Sequence, residues 1–577
     1  MYNSKNQTII FNDKGITRFN PFIILTIILS SYIPILGVQL YFRHDDAGTL
    51  LWALEFKKFF LYAFDPRPWL NEYYKYNGVG GYYRPFESLY IMFLQNIFGP
   101  QPFYFHLING LMMIGTIIFL YKITELLSNK IAAFLSVVIF HVCFHSILYG
   151  TYHVVVPFGY FFEIGCFYFC LKGLLGKDHK YLVYSLLFLI PATNRQTTAI
   201  ILPAMILVYF ISNWKGSFLN LKTKLIILFI AVLPNVLIPF SGTSSVGTIL
   251  NHSTNFSDFF KFLYERYLFY GNILTQGLTG IIVLFIIFFY LIFNFIYSKK
   301  ESFSRKNYLI LSVLVSIVLV LIINKLSVLA IILLFILLGV YAFLDKTVRY
   351  AIVWFFVSLG CFIIIKFYHG AYLLEAAYAL SIVLGMFLYQ LLRALEEVFQ
   401  ITKFAKRNIK SLLVFGIVVL GISGVIIFKI DNTPIFSTKR EAIEALINTN
   451  KNFEDMLKIL KTELPQNSIV YELSEESLGT TPENRRFWTL KERAEKVKVM
   501  HIIDTEIMMK VLGRYDISFK PADTIPEKIT KNSYFAACNK FERDIAEKKY
   551  PLKLIKEIKR GDTEAAIYYF RSSDNNK

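Results

Sequence analysis

The sequence predicts an all-α polytopic membrane protein that carries a small C-terminal α+β domain. Of its 577 residues 55% are hydrophobic, and the mean hydropathy is +0.49. Apolar runs of about 20 residues recur up to residue 430, and each is long enough for a helix to cross a hydrocarbon core. Helices satisfy their own backbone groups in lipid, so these runs predict a helical bundle.

About thirteen spans are predicted, and the fifth and sixth form an irregular hairpin because Pro191 and Pro203 lie within them. The spans are 21–41, 104–121, 131–149, 154–171, 181–192, 196–212, 223–241, 273–297, 307–324, 326–344, 348–366, 373–392 and 411–430. The first run lacks a small-residue cleavage site, which favours a retained span over a signal peptide. The domains are therefore a cytoplasmic segment (1–20), a membrane domain (21–430) with an external loop (42–103), and a soluble domain (431–577).

The basic residues set the predicted orientation. Lysines and arginines concentrate in alternate loops, such as those around Lys177 and Lys299, and such loops stay on the cytoplasmic side. With the N-terminus inside, an odd number of spans places residues 431–577 outside the plasma membrane. The same rule accounts for the net charge of +19, so nucleic-acid binding is not expected.

The soluble domain is charge-rich and has three readable elements. An amphipathic helix is predicted near 437–464, and strand-like runs occupy 468–473 and 564–571. These elements predict a small α+β fold on the same side of the membrane as the loop 42–103.

Two adjacent acids follow the first span, where the external loop begins. Asp45 and Asp46 can act as a general base, bind a metal or cap a short helix. Further along, Arg84 lies in a setting of tyrosines and glycines. Its guanidinium can bind a phosphate through two hydrogen bonds, or anchor the chain at the membrane interface.

These residues belong to an ordered set of motifs, Phe42-Arg43-His44-Asp45-Asp46, then Tyr83-Arg84-Pro85, then Gly99-x-x-Pro102-Phe103-x-x-His106-Leu107-x-Asn109. The set resembles the start of GT-C superfamily glycosyltransferases. It is most similar to the protein O-mannosyltransferase-like group, which includes the cadherin-directed transmembrane O-mannosyltransferases and their bacterial relatives. The resemblance implies a GT-C-like bundle, a sugar donor on a polyprenyl phosphate and a catalytic acid at Asp45 or Asp46.

The resemblance also implies a substrate-binding set, which comprises His44, Tyr83, Arg84, His106, His153, Arg195 and Lys366. Two members depart from the family pattern. His153 stands where relatives have a His-Pro element, and Arg195 stands where they have a Lys-Glu pair. Lys366 can reach a lipid phosphate, although snorkelling to the interface explains it equally well. A repeat tail found in some relatives is missing, which leaves a protein acceptor in doubt.

One further acid, Glu163, lies within the fourth predicted span. An ionisable residue inside a membrane is a functional candidate, but Glu163 can equally be neutral or paired with a buried base.

The predicted function is therefore transfer of a monosaccharide from a polyprenyl-phosphate donor to a glycan, lipid or protein of the cell envelope, with inversion. A cofactor is not required, and a divalent cation at the acidic pair is compatible but not needed. The alternatives are a transporter or flippase of a lipid-linked glycan, and an O-antigen ligase-like or polymerase-like enzyme. A transporter commonly has two related halves, which this sequence does not show, and ligases place their large external loop late in the chain.

Overall fold

The computed structural model describes residues 85–99, 101–149, 156–192, 197–213, 219–237, 347–364, 373–398, 440–473, 502–526, 532–537, 540–560 and 563–570. The chain divides into two compact units, which are described separately. One comprises Met1–Ile33, Met113–Thr151 and Tyr160–Phe428, and the other comprises Pro34–Met112, Tyr152–Gly159 and Lys429–Lys577.

Nine helices lie in the part of the chain before residue 400 that the structure describes. They are α1 (Pro85–Phe98), α2 (Pro102–Leu127), α3 (Lys130–Tyr149), α4 (Val156–Gly176), α5 (His179–Ala192), α6 (Thr198–Ser212), α7 (Leu221–Leu237), α8 (Arg349–Ile364) and α9 (Leu374–Val398). Helices α2 to α9 coincide with eight of the predicted spans to within about six residues. The predicted spans 21–41, 273–297, 307–324, 326–344 and 411–430 lie outside the described residues.

Three of the described helices are long and apolar enough to cross a membrane, namely Phe103–Leu127, Pro157–Gly176 and Leu374–Leu391. Shorter apolar helices occur at Leu89–Phe98, Lys130–Phe140, Ile200–Ser212 and Arg349–Gly360. The described membrane domain is therefore helical, as the sequence predicts, while the total of thirteen spans remains a prediction.

Helix α1 is the main departure from the sequence analysis, which treats residues 42–103 as one loop. Pro85 occupies the first helical position, where a missing N–H costs nothing, and Gly99 ends the helix with φ +66°. Tyr90, Ile91 and Leu94 are buried along one face. This one-sided pattern is the signature of an amphipathic helix, so the last part of the loop has a fold of its own.

Turn residues delimit other helices in the same way. Asn129 precedes α3, and its side-chain oxygen accepts hydrogen bonds from the backbone N–H groups of Ile131 and Ala132, both at 3.0 Å. Asn220 precedes α7 and accepts from the N–H of Thr223 at 2.8 Å. These bonds satisfy donors that lack partners in the first turn of a helix.

The C-terminal residues form an α+β fold. Its helices are α10 (Arg440–Glu463), α11 (Ile502–Val511) and α12 (Lys540–Lys549), and its strands are β1 (Ile469–Glu472), β2 (Ser518–Pro521), β3 (Ser533–Ala537), β4 (Leu552–Arg560) and β5 (Thr563–Phe570). The strand order is β2-β1-β3-β5-β4. Strand β1 runs parallel to β2 and β3, and β5 runs antiparallel to β3 and β4.

The core of this sheet is aromatic, with Tyr471, Phe535, Tyr568 and Phe570 almost fully buried. The predicted helix at 437–464 and the predicted strands at 468–473 and 564–571 correspond to α10, β1 and β5. Three of the sequence expectations for this domain are therefore confirmed, to within a few residues at each end.

Candidate active site

His106 is the one member of the predicted site set that lies among the described residues. Pro102 begins α2, which places His106 and Asn109 one turn apart on the same helix. Both are buried, at 1% and 0% exposure. Tyr90 of α1 donates a hydrogen bond from its hydroxyl to Oδ1 of Asn109 at 2.8 Å. The end of the motif is thus a buried polar cluster between two helices.

This cluster has an aromatic and an acidic neighbour. The ring of Tyr90 stacks on Phe158, with centroids 4.7 Å apart and planes 22° from parallel. Glu87, in the first turn of α1, is 2% exposed. It stands three positions after Arg84 in the chain, so an acid and an arginine border the start of α1.

The remaining predicted site residues lie outside the described residues. They are His44, Asp45, Asp46, Tyr83, Arg84, His153, Arg195 and Lys366. Their roles therefore stay predictions from the sequence.

A second polar cluster lies deep among the membrane helices and contains Glu163. Its Oε1 accepts a hydrogen bond from the hydroxyl of Thr198 at 2.8 Å and lies 3.2 Å from the hydroxyl oxygen of Thr197. The Thr197 hydroxyl also contacts Oε1 of Glu375 at 2.7 Å. All four residues are at most 7% exposed. We call Glu163, Thr197, Thr198 and Glu375 the carboxyl–threonine cluster.

The carboxyl–threonine cluster joins the middle of α4 to the starts of α6 and α9. One turn along α9 from Glu375, the ring of Tyr378 stacks on Phe140 with centroids 4.7 Å apart. The ring of Tyr160 packs edge-on against the ring of Tyr378, with centroids 5.8 Å apart. Buried aromatic rings thus line the helix that carries one of the two acids, and hydrogen bonds to acids in such apolar surroundings are strong.

The sequence allows Glu163 to be a functional acid, or to be neutral or paired with a buried base. The structure places it beside two threonine hydroxyls and identifies a second buried acid, Glu375, that the sequence analysis missed. Glu375 lies in the run Leu373-Leu374-Glu375-Ala376-Ala377, within the predicted span 373–392. The signal that singles out Glu163, an acid inside an apolar span, applies equally to Glu375.

In the described part of the chain, no group of three or more His, Cys, Asp or Glu side chains is arranged to hold a metal ion. Asp45 and Asp46 lie outside these residues, so a cation at the acidic pair stays a prediction.

Part of the chain that includes some of the predicted site residues matches a known protein family. Residues 84–238 match the model of the family described as dolichyl-phosphate-mannose-protein mannosyltransferase. No curated protein is significantly similar to the chain.

Similar solved structures include ArnT from Cupriavidus metallidurans bound to undecaprenyl phosphate, at 10% identity and a TM-score of 0.45. That match covers 96% of this chain and 98% of ArnT. The apo state of the same protein gives the same identity and coverage with a TM-score of 0.35. Both TM-scores are too low to decide the fold.

Proposed function

We propose that this protein is a membrane glycosyltransferase of the GT-C superfamily with a polyprenyl-phosphate-linked donor, because residues 84–238 match the dolichyl-phosphate-mannose-protein mannosyltransferase family and the motifs predict the same superfamily. The family match is the observation that carries the proposal. Apolar helices in the described residues supply the membrane setting that a lipid-linked donor needs. The acceptor is a cell-envelope glycan, lipid or protein on the outer side of the plasma membrane.

The matched segment contains part of the predicted site. It begins at Arg84 and includes His106, His153 and Arg195, whereas Asp45 and Asp46 precede it. The matched family therefore supports the substrate-binding part of the site more directly than the acidic pair, which rests on the motif Phe42-Arg43-His44-Asp45-Asp46.

In the proposed reaction, the acceptor oxygen attacks the anomeric carbon of the sugar from the face opposite the phosphate. The new bond forms between these two atoms while the bond from the anomeric carbon to the phosphate oxygen breaks. Asp45 or Asp46 takes the proton of the acceptor hydroxyl, and the polyprenyl phosphate leaves with the bonding electrons. Arg84 and Arg195 stabilise its negative charge, and the configuration at the anomeric carbon inverts.

The acidic pair provides the test of this function. Asparagine keeps the shape of aspartate and caps a helix about as well, but it cannot accept the proton. If one aspartate is the general base, Asp45→Asn or Asp46→Asn should lower sugar transfer from a polyprenyl-phosphate donor to a cell-envelope extract by roughly 100-fold or more.

Melting of the purified full-length variants provides the control, since equal melting temperatures exclude loss of fold as the cause. Normal transfer in both variants would remove the pair from the mechanism. A wild-type protein that binds a lipid-linked glycan and moves it across a vesicle membrane, without transferring sugar, would instead support the flippase alternative.

A further inference from the structure

The turn between α4 and α5 concentrates positive charge at the end of a helix that is long enough to cross a membrane. That helix ends at Gly176, and the run 172–180 contains three lysines and one acid, Asp178. The carboxylate of Asp178 accepts a hydrogen bond from the backbone N–H of Lys180 at 2.9 Å, so it serves the start of α5. Lipid phosphates lie just beyond the hydrocarbon core, at the depth where such a helix ends.

Aromatic rings hold two of these lysines in place. Nζ of Lys172 lies 4.0 Å from the ring centroid of Tyr181 and 5.4 Å from that of Tyr168. Nζ of Lys180 lies 5.7 Å from the ring centroid of Tyr184. Cation–π attraction fixes an ammonium group without neutralising it, because the ring carries no net charge. Both lysines can therefore still pair with an anion, and less freedom is lost when they do.

The rings are fixed in turn by the packing of α4 against α5. Phe169 of α4 stacks on Tyr181 with centroids 6.4 Å apart and meets Tyr184 edge-on at 5.6 Å. The helices approach closely at Gly173, where a Cβ would lie 2.9 Å from the backbone N of Leu182. The positions of the lysines therefore depend on a packed pair of helices.

Lys177 adds the third charge from a strained position. Its φ of 56° lies in the left-handed region, and the next residue, Asp178, donates its N–H to the carbonyl of Gly173 at 3.0 Å. This bond is typical of a helix end at which glycine is the usual left-handed residue, because a side chain there costs about 1 kcal/mol. A strained residue at a surface turn is a reason to look for a function of its side chain.

An exposed apolar strip begins next to these charges. Val183, Leu187 and Ile190 follow Lys180 along α5 in steps of three and four residues, so all four share one face of the helix. The three apolar side chains are each at least half exposed. A strip of apolar side chains that ends at a lysine matches the two parts of a phospholipid, its acyl chain and its charged headgroup.

We propose that the end of the α4–α5 pair is a binding site for an anionic phospholipid, which we call the α4–α5 lipid site. Lys172, Lys177 and Lys180 pair with the headgroup phosphate, and an acyl chain lies along the exposed strip of α5. The site uses none of the residues predicted to bind donor or acceptor. The inference therefore goes beyond the proposed function and does not depend on it.

The first test compares three probes on the full-length protein in detergent. Phosphatidylglycerol should raise the melting temperature more than phosphatidylcholine does at the same concentration, because the lysines select a net negative headgroup. Glycerol 3-phosphate supplies the anion without acyl chains and should have no such effect. Equal stabilisation by the two lipids would overturn the proposal. Stabilisation by glycerol 3-phosphate equal to that by phosphatidylglycerol would indicate a site for free phosphate and overturn the lipid occupant.

Lys177→Gly locates the effect at the turn. Without lipid this variant should melt at or above the wild-type temperature, since glycine relieves the strain. Its affinity for phosphatidylglycerol should fall about fivefold, which corresponds to about 1 kcal/mol for one lysine near an anionic headgroup.

Lys222→Gln is the matched control, because Lys222 is an exposed lysine in the first turn of another helix, α7. Its loss removes the same charge and should leave the affinity for phosphatidylglycerol unchanged. Equal losses in Lys177→Gly and Lys222→Gln would show general attraction of a basic protein to anionic lipid, and an unchanged affinity in Lys177→Gly would also contradict the site.

Tyr181→Leu and Tyr181→Phe test whether the rings prepare the site. Leucine removes the aromatic face under Lys172 but leaves the lysine, so the affinity for phosphatidylglycerol should fall two- to fivefold, the equivalent of about 0.5–1 kcal/mol of cation–π attraction. Phenylalanine keeps the face, and Tyr181→Phe should bind as the wild type does. Wild-type affinity in Tyr181→Leu, or an equal loss in both variants, would overturn the role of the ring in holding Lys172 for the headgroup.

Discussion

Polar side chains at the starts of helices make different kinds of hydrogen bond in this protein. Asn129 and Asn220 use their side chains on the helices that they precede. Thr197 turns its side chain away from its own helix toward two acids. A residue that gives up local capping for long-range hydrogen bonds is one whose substitution should affect more than local stability.

Arg84 gives a prediction at the same scale. A guanidinium offers a planar fork of donors to a phosphate, whereas the ammonium group of lysine is a point charge. Arg84→Ala should therefore reduce sugar transfer strongly, and Arg84→Lys should restore only part of it. Melting of the purified variants checks that the bundle is intact. Unaltered turnover in Arg84→Ala would favour the role of an interfacial anchor.

Arg514 holds together the end of α10 and the turn before β2. Its guanidinium forms a bidentate ion pair with Asp516, with Nε to Oδ1 at 2.8 Å and Nη2 to Oδ2 at 2.9 Å. It also donates to the carbonyls of Lys461 at 2.6 Å and Pro465 at 3.1 Å. These carbonyls belong to a helix end, where acceptors lack partners within the helix.

The ion pair predicts how acid affects this part of the domain. The hydrogen bonds from Arg514 lower the pKa of Asp516 from 3.8 to about 2. A lowered pKa means that the stabilisation is present above 3.8 and is lost as the pH falls through the folded value. Hydrogen exchange of the β1 and β2 amides, corrected for the intrinsic rate, should therefore rise between pH 5 and pH 2 in the wild type.

Asp516→Asn is the control for this effect, since asparagine keeps the shape but does not titrate. Its exchange should be faster than that of the wild type at pH 5 and should change less on acidification. The same acid response in Asp516→Asn and the wild type would show that other carboxyl groups control it.

At the scale of whole elements, the contact between α3 and α9 depends on a glycine. A Cβ at Gly385 would lie 2.5 Å from Oγ and 2.6 Å from N of Ser136, and 2.8 Å from the carbonyl oxygen of Ala132. Two of these atoms are backbone, so the helices can approach this closely only without a side chain at that position, as is common in membrane bundles.

Gly385→Ala should consequently lower the melting temperature of the purified protein, because overpacking costs about 1–3 kcal/mol. Gly360 in α8 provides a matched control, since a Cβ there meets nothing within 4 Å. Gly360→Ala should leave stability unchanged or raise it by about 0.5–1 kcal/mol, the helical advantage of alanine over glycine. A Gly385→Ala protein as stable as Gly360→Ala would contradict the close packing.

The same elements show what a sequence can and cannot predict. Apolar length predicts α2 to α9, because burial in lipid overrides local propensity. It misses α1, since a helix of 14 residues within a long loop is too short to be read as a span. The pairings of β1 with β2 and β3 join segments about 50 to 65 residues apart, and no local pattern specifies such a register.

In the candidate site as well, the sequence predicts local motifs but not contacts between distant residues. The motif that ends at Asn109 is local, so the resemblance to GT-C glycosyltransferases could select His106 from the sequence. The contact of Thr197 with Glu375 joins residues 178 positions apart, and only the packing of α6 and α9 brings them together. The sequence could have identified Glu375 as an acid in a predicted span. It could not show that Glu375 and Glu163 contact the same hydroxyl, that of Thr197.

At the scale of the whole molecule, one part of the chain has a surface suited to lipid and another part has a surface suited to water. The apolar helices before residue 400 expose large side chains such as Phe93, Leu111 and Ile211, at 60% exposure or more, which suits lipid. The C-terminal fold instead buries its aromatic residues around a sheet and carries ion pairs such as that of Arg514 with Asp516 on its surface. One sequence therefore meets both lipid and water.

The orientation of the chain across the membrane is the last prediction. The positive-inside rule places the loops near Lys177 and Lys299 in the cytoplasm, and an odd number of spans places Lys577 outside. In a variant whose five native cysteines are replaced, a single cysteine at each of these positions reports its side. A membrane-impermeant reagent should label the cysteine at position 577 in intact cells and the other two only after the membrane is opened.

The native cysteines require replacement because their thiols can react with the same reagent. Two of them, Cys166 and Cys170, are buried in α4, where a larger substitute would disturb packing. Alanine is the suitable substitute, since it leaves helix propensity high. Labelling of position 577 only from the cytoplasmic side would mean an even number of spans. The C-terminal domain and the loop 42–103 would then lie on opposite sides, and the domain could not meet an acceptor at the outer face.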